Sequence, residues 1–314
     1  MRGYDAGNSS QREPDLPRPL KLILATLAAL AGVAAAAFSA AVWLGERKLH
    51  RAIEVRVVPV PYARDAASVR HGKYLYDSRG CAHCHGWDGQ GAVVIDDPRG
   101  FYVRGPDITS AGATAQYTEG DWVRAIRHGV SPNGHPLLVM PSEDYNRMSD
   151  ADFAALVSYV RALPPGAGKP GEIRLPLLMK ALYGLDQVRD AAQKIDHKAP
   201  PSQPVPAGPT VEHGAYVAQM CTGCHGAQFS GGKIPGTPPE WPPASNLTPG
   251  EGGVMGRYDT LEKFAAMMRT GKRPDGTPVS TVMPFDALKN LNDVDVEALH
   301  AFLLTLPPRS AGRR

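Results

Sequence analysis

The chain has 314 residues, too long for one small domain and enough for two with separate cores. Its 34 basic and 31 acidic residues leave a formal charge of +3, a balance that argues against a nucleic-acid partner. The 33 glycines and 30 prolines imply much loop, and an aromatic content of only 7% suits cores completed by a large, flat, apolar group.

Residues 22–44, LILATLAALAGVAAAAFSAAVWL, carry no charge, and about 23 residues at a 1.5 Å rise cross a bilayer core of about 30 Å. The pattern predicts a membrane-spanning helix after an N-terminal segment, 1–21. Small residues around Ser39 and Ala40 would suit a signal peptidase, but signal h-regions are shorter, roughly 7 to 15 residues, so a retained anchor is the better reading. Arg2, Arg12, Arg18 and Lys21 precede the span, while Arg47, Lys48, Arg51 and Arg56 follow it, so charge alone leaves its orientation open. Residues 45–64 then read as a stalk. Pro59 and Pro61 in VVPVPY keep it extended.

A first domain is expected over 65–165. A short helix at 66–79 leads into Cys81-Ala-His-Cys84-His85, and Gly86 opens a loop. Thr118 with Asp121 forms a capping-box pattern for a helix that Gly129 ends. Met140-Pro141 follows. Ser149 with Asp152 caps the last helix, whose Phe153, Leu156, Val157 and Val160 fall at helical spacing as core, and Pro164-Pro165 terminates it. Residues 166–209 form a Pro-rich linker with one apolar piece at 173–185, IRLPLLMKALYGL. It is too short to span a bilayer, so it reads as a short helix packed on a domain surface in preference to a second membrane contact.

The pattern then repeats over 210–308, before a tail at 309–314. HGKYLYDSRGCAHCHG at 71–86 matches HGAYVAQMCTGCHG at 213–226 apart from two residues, and GPDIT at 105–109 faces SNLT at 245–248. In the second copy Asp259 with Glu262 and Asn292 with Asp295 are the expected caps, Gly271 the stop, and Pro307-Pro308 the terminator. Val296, Leu299, Phe302, Leu303 and Leu306 form its last apolar stripe.

The four cysteines all lie in Cys81-Ala-His-Cys84-His85 and Cys221-Thr-Gly-Cys224-His225. C-x-x-C-H is the attachment signature of c-type haem: two thiols form thioethers to the vinyl groups and the histidine becomes the proximal iron ligand. A structural zinc site would place the pairs roughly 12 to 20 residues apart. Here about 137 residues separate them. A redox dithiol would want one C-x-x-C on a βαβ pattern, and disulfides would leave the two following histidines to coincidence. Two covalently held haems are therefore expected, with Cys81, Cys84, Cys221 and Cys224 as attachment points and His85 and His225 on the irons.

Each iron has a sixth position to fill. Met140-Pro141 and Met283-Pro284 stand in register, some 55 to 60 residues after each histidine, and a thioether suits haem iron. Met148, Met255, Met267 and Met268 lack a counterpart or lie within expected helices. His128 and His135 are within reach of the first iron along the chain but have no partner in the second copy, and read as surface or loop residues. His71 and His213 do repeat, at a helix start, where packing is the simpler role.

With C-x-x-C-H, a Gly-Pro-x-Ile/Leu loop, Met-Pro and a last helix ending in Leu-Pro-Pro, the two copies resemble class I cytochrome c domains. More closely, the chain is similar to the membrane-anchored multihaem cytochrome c subunits of bacterial periplasmic dehydrogenases for alcohols, aldehydes and sugar acids. The resemblance implies an all-α protein of two tandem domains after a transmembrane helix. It implies haem attachment outside the bacterial cytoplasmic membrane, with the N-terminus inside and the domains in the periplasm. It implies electron transfer from a dehydrogenase or quinol-oxidising complex toward a cytochrome or terminal oxidase, with no bond-making chemistry in this chain. It also gives Pro106 a role, its carbonyl accepting a hydrogen bond from His85. Two features depart from the pattern: Ser245 stands where Pro106 would, and many such subunits carry three haem motifs where this chain has two. The rival reading is a dihaem peroxidase with one open iron, which needs one copy to lack a usable methionine or to provide a histidine instead, with His128 and His135 the candidates in the first copy. A third is a structural or sensory haem subunit.

Overall fold

The computed structural model describes residues 17–238 and 240–312. Arg2 and Arg12, with most of the expected N-terminal segment, and the last two residues of the tail lie outside them.

Helix α1, Arg18–Leu49, runs further than the uncharged stretch because Gly45-Glu-Arg-Lys-Leu continues it, with Arg47 and Lys48 facing the negative end of the helix dipole. It is long and apolar enough to cross a membrane, and none of its most apolar stretch is buried. The expected stalk is extended but does not stand free. Ile53 N–H donates to the Gly134 carbonyl at 2.8 Å, and Val57, Val60 and Tyr62 pack on the first core. It is a strap, held by apolar side chains that alternate with its prolines.

The first unit contains α2 (Ala66–Ser78), α3 (Cys81–His85), β1 (Val93–Asp96), β2 (Tyr102–Arg104), α4 (Glu119–His128) and α5 (Asp150–Ala162). Thr118 and Asp121 form the expected capping box on α4, Gly129 ends it at φ 65°, and Ser149 caps α5. The linker supplies β3 (Glu172–Arg174) and α6 (Leu177–Gly184). β3 adds to the β1–β2 hairpin, making an antiparallel sheet in the order β1-β2-β3 inside a mostly helical protein. α6 packs on the end of α1.

The second unit contains α7 (Val211–Val217), α8 (Thr222–His225), α9 (Leu261–Thr270), α10 (Phe285–Leu288) and α11 (Asp293–Leu304). Asn292 caps α11 as expected. The cap of α9 falls one residue later than expected: Thr260, at ψ 152°, accepts from Lys263 N–H, while the Asp259 carboxylate pairs with the Lys263 ammonium at 2.7 Å. Leu306 lies beyond the end of α11 but still packs on the core.

In both units the first and last helices cross at a glycine. A Cβ on Gly72 would lie 1.9 Å from the Ala155 carbonyl oxygen, and one on Gly214 would lie 1.9 Å from that of Ala298. Only glycine lets the backbones meet there. The histidine before each glycine bonds the same partner helix: His71 Nε2 lies 2.7 Å from Asp152 Oδ1 and His213 Nε2 lies 2.7 Å from Asp295 Oδ1.

Those two carboxylates also join the units to each other. Tyr74 of α2 donates to Asp295 at 2.5 Å, and Tyr216 of α7 donates to Asp152 at 2.6 Å. Each phenol oxygen accepts from a helix-capping residue of the opposite unit, Asn292 N–H at 3.3 Å and Ser149 N–H at 3.1 Å. One partner has no counterpart. The two extra residues of the first copy are Arg79 and Gly80, and the buried Arg79 guanidinium donates to Asp295 at 2.8 Å.

Burial opposes ionisation of Asp295, but Arg79, Tyr74 and His213 outweigh it and hold its carboxyl below the ordinary value. Its contribution to stability is therefore complete above the unfolded carboxylate value of about 4 and is lost as the pH falls below that. Asp295→Ala leaves Arg79 buried without its carboxylate and is expected to cost about 3–5 kcal/mol. Asp293→Ala, at an exposed ion pair, should change little. Denaturant titration of both variants at pH 7 checks this.

Candidate functional site

The turn before α3 is set by Gly80 at φ 85°, after which Cys81, Cys84 and His85, at positions i, i+3 and i+4, share one face of a short helix. Cys81, Cys84, His85, Pro106 and Met140 all line one cavity of about 440 Å³. Its remaining wall is largely apolar and comes from both sides of the unit, including Tyr76, Ile108, Trp122, Ile126, Val139 and Leu156. That volume lies in the range of cofactor pockets, roughly 300–1,000 Å³.

His85 Nδ1 lies 3.1 Å from the Pro106 carbonyl oxygen. A carbonyl only accepts, so Nδ1 carries the proton and the Nε2 lone pair is left for a metal. Burial lowers the pKa of this imidazole, against the opposing pull of the Pro106 hydrogen bond, and the ring is neutral near pH 7. Burial pushes the Cys81 thiol up to about 12, and that of Cys221 in the second unit likewise, which is the opposite of an activated redox dithiol. None of the four cysteines is in a disulfide.

The residues fit a covalently held haem on a further count. Trp122 lines the cavity, and its Nε1 is buried with no hydrogen-bond partner. A bound group carrying an acceptor would complete it, since a buried donor left alone is costly.

The second unit repeats the local geometry. His225 Nδ1 lies 2.8 Å from the carbonyl oxygen of Ser245, the residue in the place of Pro106. The departure noted in the sequence is thus one of side chain only: the main chain supplies the acceptor in both units. The loops that carry it are built alike, with Gly91 N–H donating to His85 O at 2.7 Å and Gly231 N–H to His225 O at 2.9 Å. Ile108 N–H bonds Gly89 O and Leu247 N–H bonds Phe229 O, both at 2.8 Å. Cys221 and Met283 border the same second core. After each Met-Pro the chain turns identically, Ser142 N–H bonding Met140 O and Phe285 N–H bonding Met283 O, both at 2.8 Å.

The other histidines are engaged elsewhere. His128 Nδ1 lies 3.0 Å from His197 Nδ1, and burial together with His197 holds its pKa down at about 4. His135 Nδ1 lies 3.3 Å from the Arg51 carbonyl oxygen. Neither lines the cavity.

Sequence reasoning missed how the two sites approach each other. The turn Ser142–Asp144, just after Met140, rests on α8, and α10, just after Met283, rests on α3. Asp144 accepts from Gly223 N–H at 2.6 Å and from the Thr222 hydroxyl at 3.1 Å, both inside the second C-x-x-C-H. The only available signal was that Met-Pro and C-x-x-C-H recur together, which carries no information about contact between copies.

The family model described as Cytochrome c matches residues 69–164 and again 211–307. Over 280 residues, 79% of the chain, the sequence is 28% identical to the gluconate 2-dehydrogenase cytochrome c subunit of Pantoea cypripedii, covering 61% of that protein. Over 118 residues, 34% of the chain, it is 35% identical to the fructose dehydrogenase cytochrome subunit of Gluconobacter japonicus, covering 24% of it. Over 114 residues, 36% of the chain, it is 29% identical to the cbb3-type cytochrome c oxidase subunit CcoP of Helicobacter pylori (strain 52), covering 34% of it. The chain therefore spans less than two thirds of the length of each of these relatives.

Ser245→Ala keeps the carbonyl that faces His225 and is expected to leave the haem content and absorption spectrum unchanged. Gly231→Ala, whose Cβ would fall 2.2 Å from the Ala244 carbonyl oxygen and 2.4 Å from that of Ser245, should lower haem attachment at the second motif. The mass of the intact purified chain reads haem attachment in both variants, and the visible spectrum reads the rest.

Proposed function

The chain belongs to the cytochrome c family, and from that membership we propose that it is a dihaem electron carrier tethered to the membrane, with one haem in each of the units 65–165 and 210–308. Haem iron carries one electron as it alternates between the ferric and ferrous states. The first unit would hold its haem through Cys81, Cys84, His85 and Met140, and the second through Cys221, Cys224, His225 and Met283.

The observation that carries this reading is the cavity in which Cys81, Cys84, His85 and Met140 converge with no competing histidine in the lining. The Pro106 and Ser245 carbonyls orient the two imidazoles, and the largely apolar lining of the first cavity would keep water away from a haem bound there. The methionines would fill the position that a peroxidase needs open, and His128 and His135 are turned to other partners.

Because each Met-Pro turn rests on the other unit's attachment helix, electrons would pass between the units within the chain. Relatives named as subunits of gluconate and fructose dehydrogenases and of an oxidase support a dehydrogenase or quinol-oxidising complex as donor and a cytochrome or terminal oxidase as acceptor. α1 would cross the bacterial inner membrane once, with both haem units in the periplasm.

Met140→Leu and Met283→Leu are each expected to remove about half of the sulfur-to-iron charge-transfer band of the ferric protein while the covalent haem content stays unchanged. If either variant keeps the full band, that methionine is not a ligand.

A further inference from the structure

Helix α6 is buried along its middle and open at its ends. Ala181 and Tyr183 are buried, whereas Leu177 and Leu178 at its start and Leu185 just past its end are 60%, 62% and 54% exposed. Three open leucines within nine residues, on a segment otherwise rich in proline and lysine, are more than the scattered single apolar residues that any surface shows.

The buried middle is locked onto α1. A Cβ on Gly45 would lie 2.0 Å from the Lys180 carbonyl oxygen, and one on Gly184 would lie 2.3 Å from that of Ala41, so the two helices touch backbone to backbone. The Lys180 ammonium pairs with Glu46 at 2.7 Å. Lys48 donates to the Tyr183 carbonyl at 2.8 Å and to Asp186 at 2.5 Å. Arg51 continues the attachment, with Tyr183 at 2.7 Å and Asp190 at 2.9 Å. The height of α6 along α1 is therefore fixed.

That height is where α1 leaves its uncharged stretch. Trp43 and Leu44 are its last residues, both exposed, and Glu46, Arg47 and Lys48 follow at once, with the Arg47 guanidinium 4.8 Å above the Trp43 ring. Tryptophan beside arginine and lysine at the end of an apolar helix marks the level of the lipid headgroups.

We propose that α6 is a second membrane contact, lying in the headgroup and acyl boundary of the bilayer that α1 crosses, with Leu177, Leu178 and Leu185 bedded in lipid beside Trp43 and Leu44. The expectation that the 173–185 piece is too short to span still holds; an interfacial helix does not need to span. The occupant is lipid because the open leucines continue an apolar surface already committed to the bilayer. The consequence is orientation: β3, just before α6, and the strap at 50–64, just after α1, are both docked on the first unit, so that unit is held at a set angle to the membrane. The inference rests on α1 being a membrane span.

The test uses the full chain in lipid nanodiscs, with nitroxide labels placed by Leu30→Cys, Leu178→Cys and, as an aqueous reference, Val294→Cys. All three positions are exposed, and normal haem content confirms folding. Collision rates with oxygen and with a water-soluble nickel chelate then report depth. The expected oxygen-to-nickel ratio at Leu178 is at least about twofold above that at Val294 and below that at Leu30, as for an interfacial helix. A Leu178 value equal to that of Val294, with Leu30 deep, overturns the interfacial contact and leaves the span standing. An aqueous value at Leu30 overturns the span, and the interfacial contact with it.

Discussion

Two carboxylates, Asp152 and Asp295, hold this protein in one piece. Each lies in the first turn of its unit's last helix, where its backbone N–H donates to the cap residue, and its carboxylate bonds a histidine of the first helix in its own unit and accepts from a tyrosine of the other unit. Because the same set of contacts is made twice in exchange, the units meet about an approximate two-fold axis. Breaking one arm strands a polar group of the opposite unit, so the junction resists partial opening. The symmetry is broken where Arg79 adds a buried guanidinium to Asp295.

What the junction positions is the pair of haem motifs. With α2 and α7 clasped, the turn after Met140 comes to rest on α8 and that after Met283 on α3. Asp144 is drawn into the second motif, where burial and the neighbouring Glu143 push its carboxyl up to about 7 despite the hydrogen bonds from Gly223 and Thr222. The side of each unit that carries the proposed thioether ligand therefore faces the attachment helix of the other. An electron carrier with two sites gains from that arrangement, since transfer between sites then depends on a fixed contact and not on a diffusional encounter.

Much of this was legible in the sequence because it is local. Caps at Thr118, Ser149 and Asn292, stops at Gly129 and Gly271, and the two C-x-x-C-H motifs each declare themselves within a few residues. The miss at Thr260 is a shift of one residue between two capable caps. The sheet escaped notice because its strands are three or four residues long and β3 joins from about 70 residues downstream. The strap at 50–64 looks like a free stalk because its prolines are visible and its docking on Gly134 is not. Ser245 looked like a loss because a proline was expected, whereas the working atom is a carbonyl that every residue has. Tyr74 and Tyr216 recur in register beside His71 and His213, yet an aromatic residue on a helix face reads as core until a second unit is placed against it.

The central claim is that two haem sites lie in one rigid pair and exchange electrons inside a single chain. Flash reduction of the purified protein by less than one electron per chain, followed at wavelengths where the two haems differ, tests it most directly. The account predicts a first-order redistribution between the haems whose rate does not change with protein concentration. A redistribution rate proportional to concentration, or a reduced fraction confined to one haem, would contradict it.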